Sequence, residues 1–193
     1  LSGGADSVAL LSALNRLQDN LGFTLRAVPV NHMIREDEAL RACNFAVSTC
    51  RDFGVEIDVY EKDCPAYSRL HHISLEDRAR ILRYEAFKES AGKFPAAKIA
   101  LAHNMNDNAE TMLMRMLRGT SSYGLRGMDI SRDNIIRPLL YSSREEIEEY
   151  LKINGLSYVT DRTNSDTGYT RNRIRLKLIP YLKEEYNPSI MEA

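Results

Sequence analysis

Apolar residues along the chain follow two periods. Over 5–21, Val8, Leu11, Leu14 and Leu17 recur at steps of three, the stripe of an amphipathic helix. Three further stretches read the same way: 35–53 with Ala39, Ala42, Ala46 and Phe53, 74–91 with Leu75, Ala79, Leu82 and Phe87, and 106–117 with Ala109, Leu113, Met116 and Leu117. Ser74, three before Asp77, reads as a helix cap. A fifth helix, 143–154, opens with the capping pattern SREE and stops at Gly155. Between them lie short apolar or alternating runs at 24–31, 55–61, 98–102 and 135–140, which read as strands.

Strands alternating with helices predict βαβ units. The fold class is therefore α/β, a parallel twisted sheet with helices on both faces. Such sheets carry ligands at the carboxyl ends of their strands. Three polar clusters fall at that end: SGGADS (2–7) before the first helix, NHMIR (31–35) after the first strand, and AHNMND (102–107) after the third. A glycine loop like SGGADS ordinarily follows a strand, so a first strand is expected upstream of Leu1. One domain is expected over 1–185, with 186–193 as the start of a linker.

Charge adds a local signal only. The net charge is −1, from 26 basic and 27 acidic residues, so bulk charge does not favour nucleic acid. Residues 161–183, however, carry six cations and two acids, with Tyr158, Tyr169 and Tyr181 within or beside them. A basic stretch with aromatics is a footprint for RNA, and a charged helix surface is the plainer reading. The three cysteines, Cys43, Cys50 and Cys64, form no CxxC pair and read as reduced thiols. Apolar runs fall far short of the ~20 residues that span a bilayer, so a cytoplasmic protein with no membrane partner is expected.

SGGADS is the strongest chemical signal. Gly3 and Gly4 let the backbone turn tightly and aim N–H groups inward, while Ser2 and Ser7 add hydroxyl donors at a helix start. Together they form a phosphate cradle. Asp6 would repel a bare phosphate, which points to a Mg²⁺ ion between them. GxxxxGK[ST] is absent, so this is not a Walker loop. The spacing of His103, Asp107 and Glu110 stacks them on one helix face. Their two carboxylates could hold Mg²⁺ or an ammonium group.

The loop resembles SGGxDS of the N-type ATP pyrophosphatases, which split ATP between its α and β phosphates and use AMP to activate a carbonyl. Later motifs resemble one branch, the tRNA(Ile)-lysidine synthetases. His32–Arg35 is similar to HxxR, and 79–84 (ARILRY) to ARxxRY. Residues 102–111 (AHNMNDNAET) are similar to AHxxxDxxET, and 118–128 to RGxxxxGLxGM. Residues 161–164 and 169–175, followed by Pro180, are similar to DxSN…YxRNxIR, with Thr163 in place of the usual Ser. The resemblance covers 2–182 and implies an adenine-nucleotide α-hydrolase-like fold.

It also implies roles. Ser2, Gly3, Gly4, Asp6, Ser7, His32, Arg35 and His103 would bind ATP, with Mg²⁺ at Asp6. Asp6, Arg83, Asp107 and Glu110 would be catalytic, and Asp107 and Glu110 would hold the ammonium of free L-lysine. Arg118, Arg171, Arg173 and Arg175 would bind a tRNA(Ile) with a CAU anticodon. Arg80, three from Arg83, stays open between a surface ion pair and a site residue. His71 and His72 match no motif and read as surface residues. The implied activity is a ligase that adenylates the wobble cytidine and joins lysine to it. Two other readings remain: a 2-thiocytidine-type enzyme of the same loop family, and an RNA-binding relic without catalysis. The oligomeric state is open, a homodimer being one reading.

Overall fold

The computed structural model describes residues 1–31, 36–62, 75–160 and 167–191, with only the backbone at 36–39, 75–76 and 122–123. His32, Arg35, Cys64, His71, His72, the cap at Ser74 and the 161–164 motif lie outside the described residues or their side chains. The chain separates into two compact units, Leu1–Ile99 with Leu156–Val159, and Ala100–Gly155 with Thr160–Ala193.

The first unit opens on α1 (Ala5–Leu21), with the bounds its stripe predicts. The helix buries Val8 and Leu11 but also Ala5, Ala9, Leu10 and Ser12, while Leu17 is exposed. Gly22 ends it in the left-handed conformation, donating its N–H to the Gln18 carbonyl at 2.8 Å.

The expected strand at 24–31 is two short pieces, β1 (Arg26–Ala27) and β2 (Val30–Asn31). The expected strand at 55–61 divides likewise into β3 (Glu56–Ile57) and β4 (Tyr60–Glu61), which follow α2 (Glu36–Phe53). Both pairings, β1 with β3 and β2 with β4, are parallel. Arg26 faces Glu56 and Val30 faces Tyr60, so one register runs through both. The break falls at Pro29, which has no N–H to give to a ladder, although its carbonyl accepts from Tyr60.

Leu11 of α1, Cys50 of α2, Ala27 and Val55 form one core, with Leu25, Phe53 and Ile57 packed against it. Burial pushes the Cys50 thiol above its usual range, and does the same at Cys43, aided by Glu61. On α3 (Leu75–Ala91), Ala79, Leu82 and Ala86 are buried at steps of three and four. Ser90 on the same helix donates to Asp58, which also accepts from Arg26 at 3.1 Å. The Arg26 hydrogen bond, opposed by burial and helped by Ser90, holds the Asp58 carboxyl below the usual carboxylate range. Arg26 also pairs with Glu56 and lies over the Phe94 ring.

From Ala100, the second residue of β5 (Ile99–Ala100), the second unit takes up α4 (Met105–Arg118), a 3₁₀ turn (Ser122–Arg126), β6 (Ser131–Arg132), β7 (Ile135–Ile136) and α5 (Arg144–Ile153). Its strand order is β5–β7–β6, and β6 pairs with β7 antiparallel. The parallel pairing expected of the α/β class holds for β1–β3 and β2–β4, and Ser131–Arg132 adds a hairpin strand that no apolar pattern marks. On α5 the SREE signature is a full capping box between Ser143 and Glu146.

The chain then runs helically through α6 (Thr170–Arg173), a π turn (Ile174–Leu178) and α7 (Ile179–Glu185). In the π turn Ile179 donates its N–H to the Ile174 carbonyl, five residues back. Pro180 next to it has no N–H to continue the ordinary helical ladder. Ile174, Ile179 and Met191 form the core here, against Ala109, Leu113 and Met114 of α4. No helix among the described residues is long and apolar enough to cross a membrane.

Candidate active site

The SGGADS loop lies in the first unit. Gly3 has φ +82 and is buried, and a Cβ there would sit 3.2 Å from the Phe45 ring. Its carbonyl is taken by the Val159 N–H at 2.9 Å, which turns the loop's acceptor away. Gly4 caps α1 in extended conformation. Ser7 Oγ donates to the Gly4 carbonyl at 2.9 Å and accepts from the Ser2 hydroxyl at 3.1 Å and the Ser2 N–H at 3.3 Å. Ser2 Oγ accepts in turn from the Gly4 N–H. The two serines thus brace the loop against itself at a 17-residue helix's positive end. Asp6 stands in the first turn, half-buried. Arg83 is exposed on α3, and Arg80 lies over the Tyr84 ring.

In the second unit Asn104 caps α4 with a reciprocal box. Its side chain accepts from the Asp107 N–H at 2.9 Å, and Asp107 Oδ2 accepts from the Asn104 N–H at 3.2 Å. The box fixes Asp107 one turn before Glu110. Just upstream, His103 Nδ1 accepts from Arg137 Nε at 3.2 Å, so the imidazole proton belongs on Nε2. Arg137 is itself held by the Asp129 carbonyl.

The carboxylates of α4 meet the arginines of the last helical stretch. Arg171 donates to Glu110 at 2.6 Å and to Asp107 at 2.9 Å. Arg175 donates twice to Glu110, at 2.6 and 3.0 Å. Glu110 is 1% exposed and buried among these contacts. The sequence separates these four residues into an ammonium pocket and an RNA contact. The structure joins them in one network, with two cations on two carboxylates.

Arg118 and Arg173 point elsewhere and are exposed. Arg173 lines an open groove of about 490 Å³ with Leu117, Ile174, Lys177, Leu178 and Tyr181. The 119–128 glycine loop is pinned to α4: Arg115 donates to the Gly124 and Gly127 carbonyls, and Asn108 accepts from the Met128 N–H at 2.7 Å.

Four positions escape the sequence reading: Arg137, Arg115, Asn108 and the capping role of Asn104. Arg137 alone leaves a trace, as a single cation inside the apolar run IIRPLL. Among the described residues, no three His, Cys, Asp or Glu side chains gather in metal-binding geometry.

A glycine–serine loop opening the first helix of an α/β fold defines a phosphate-loop domain. The chain belongs to the PP-loop domain family, named for ATP binding, which it matches over residues 1–182. It is 46% identical over 194 aligned residues to the tRNA(Ile)-lysidine synthase of Clostridioides difficile, covering 100% of this chain and 42% of that protein. It is 44% identical to the tRNA(Ile)-lysidine synthase of Thermosipho africanus, covering 100% of this chain and 45% of the relative. The chain thus spans less than half the length of these curated relatives. Its fold is similar to that of the U34-tRNA thiolase NcsA from Methanococcus maripaludis with its [4Fe-4S] cluster, at a TM-score of 0.80 and 18% identity. That match covers 100% of this chain and 67% of the thiolase.

Proposed function

We propose that this chain is the catalytic domain, residues 1–185, of an enzyme that joins free lysine to the wobble cytidine of a CAU-anticodon tRNA(Ile). The observation that carries the reading is the 46% identity, from one end of this chain to the other, with a relative named tRNA(Ile)-lysidine synthase.

The reaction has two steps. The cytidine 2-carbonyl oxygen attacks the α phosphorus of ATP, and pyrophosphate leaves. The ε-amine of lysine then attacks the activated carbon, AMP leaves, and the nitrogen gives up its proton. The SGGADS loop supports the first step. Its N–H groups and the start of α1 offset charge that gathers on the departing pyrophosphate. ATP would arrive as its Mg²⁺ complex. With Asp6 the one carboxylate in the loop, most ligands of that ion would be phosphate oxygens and water. His32, Arg35 and His103 would complete the nucleotide contacts, with His103 donating from Nε2, and Arg83 would approach the activated base.

Asp107 and Glu110 support the second step. Their carboxylates would orient the lysine chain and take a proton from its ammonium, which must be neutral to attack. The tRNA would dock on the outward face. Arg118, Arg173 and Lys177 offer cations for phosphates, and Tyr181 with the apolar groove offers a stacking surface. Arg171 and Arg175 serve the carboxylates first.

A thiolase would require cluster or persulfide cysteines, and Cys43, Cys50 and Cys64 contain no closely spaced pair. The test is to incubate the protein carrying this domain with ATP, Mg²⁺, labelled lysine and the tRNA, then digest and weigh the nucleosides. Lysine attached to cytidine is the expected product. Pyrophosphate release without it would move the nucleophile, and neither product would leave the relic reading.

A further inference from the structure

We infer that Arg171 occupies the place at Asp107 that the lysine ammonium takes during the reaction, so that lysine enters after a phosphate-bearing ligand has drawn this arginine away. The inference rests on the lysidine-forming reading above.

Every oxygen of the carboxylate pair already accepts a hydrogen bond. Glu110 Oε1 accepts from Arg175, and Oε2 accepts from both Arg171 and Arg175. Asp107 Oδ2 serves the Asn104 cap, and Oδ1 accepts from Arg171, with Arg175 a further 3.8 Å away. Two guanidiniums already balance two carboxylates. An ammonium added to them would leave the cluster with a net positive charge unless one guanidinium withdrew. The cavity against the pair, walled also by Arg144 and Arg175, measures about 60 Å³. That is room for a few waters and not for a four-carbon ammonium chain.

The two arginines are not equivalent. Arg175 grips Glu110 with two donors, and Glu110 is 1% exposed. Withdrawing Arg175 would leave that buried charge poorly paired. Arg171 makes one bond to each acid, and its bond to Asp107 is at the more open carboxylate, 17% exposed. An ammonium that replaces Arg171 there keeps the charge balance, because Arg175 stays on Glu110. The released guanidinium matches phosphate as well as it matches carboxylate. ATP and the RNA backbone both supply phosphate.

Equilibrium dialysis of labelled lysine tests this on the protein carrying the domain, with lysidine formation measured alongside. Three arms are compared: protein alone, protein with a non-hydrolysable Mg·ATP analogue, and protein with tRNA. Lysine is expected to bind at least about fivefold tighter in one or both phosphate arms. The arm that tightens identifies the phosphate. Arg171→Gln is expected to bind lysine without phosphate as tightly as the liganded wild type does, with a lower KM for lysine. Arg171→Lys is expected to keep the phosphate dependence. A merely structural Arg171 would instead weaken lysine in every arm when changed to Gln. If wild type forms lysidine yet binds lysine equally in all three arms, or if Arg171→Gln leaves the bare affinity unchanged, the inference is overturned and the reading stands. If wild type forms no lysidine, the reading itself is what has failed.

Discussion

Arg175 reaches Glu110 with both its Nε and its Nη2, at 2.6 and 3.0 Å, across 65 positions of sequence. The contact ties the last helical stretch to α4, and it buries a carboxylate almost completely. Removing one partner of such a pair costs more than the pair contributes, because a charge is left without compensation. Glu110→Ala should therefore destabilise the domain by about 3 kcal/mol, and Glu110→Gln by about 2 kcal/mol. Urea denaturation of the variants checks both figures. Equal stability to wild type would mean that water, not Arg175, satisfies the carboxylate.

The Asn104 box should show a smaller loss with a distinct signature. Asn104 is 2% exposed and trades hydrogen bonds with Asp107. Asn104→Ala should cost about 1 kcal/mol, and Asn104→Asp markedly less, since aspartate caps as well. Denaturant midpoints of the two variants decide it. The alanine variant should leave the KM for lysine nearly unchanged, because the bond that sets the Asp107 rotamer comes from the backbone N–H of residue 104, which alanine keeps.

Gly3 tolerates no side chain on two counts. Its φ of +82 is strained for any other residue, and an added Cβ would press the Phe45 ring. Gly3→Ala should cost about 1–2 kcal/mol and weaken ATP binding. The paired variant Gly3→Ala with Phe45→Leu should recover the packing share of the loss but not the backbone share, as thermal melts would show.

Helices were legible because their stripes are regular. The α1 bounds follow from Val8 and Leu11, and the α5 start follows from SREE. Strands were legible as positions and not as lengths, since Pro29 interrupts a ladder whose register otherwise continues. The Ser131–Arg132 strand was invisible, being exposed and polar on both residues. At the candidate site, the motif letters single out the acids and the arginines for separate ligands and leave their mutual contact unread. Spacing along the chain carries no information on a contact between residues 61 to 65 positions apart. Arg137 is silent in the sequence, because an arginine in an apolar run gives no hint of which histidine it meets.

Asp58 should give the fold an acid-sensitive contact. Arg26, with Ser90, holds its folded-state pKa below the unfolded value of ~3.9. A depressed carboxylate contributes stability that is present above the unfolded pKa and lost as pH falls through the folded one. Asp58→Asn should thus be less stable than wild type by about 1 kcal/mol above ~pH 5, and the two should converge in stronger acid. Melting temperatures taken from pH 7 down to pH 3 would reveal the convergence, and a constant gap would remove Asp58 from the account.

The two halves of the proposed reaction should separate by mutation. Asp6 stands at the phosphate loop in the first unit, and Asp107 stands on α4 in the second. Asp6→Asn should lower tRNA-dependent pyrophosphate release by at least about a hundredfold, since it acts where charge develops on the leaving group. Asp107→Asn should leave that release within about twofold and raise the KM for lysine by about tenfold, since it removes binding of the second substrate alone. Asparagine keeps the capping geometry with Asn104 at Asp107, so a fall in lysine use cannot be laid to a frayed helix. Single-turnover pyrophosphate release and lysine titrations on the same preparations measure the two steps independently. If Asp107→Asn lost pyrophosphate release in step with lysidine, Asp107 would act in adenylation, and the lysine site would have to be sought on other residues.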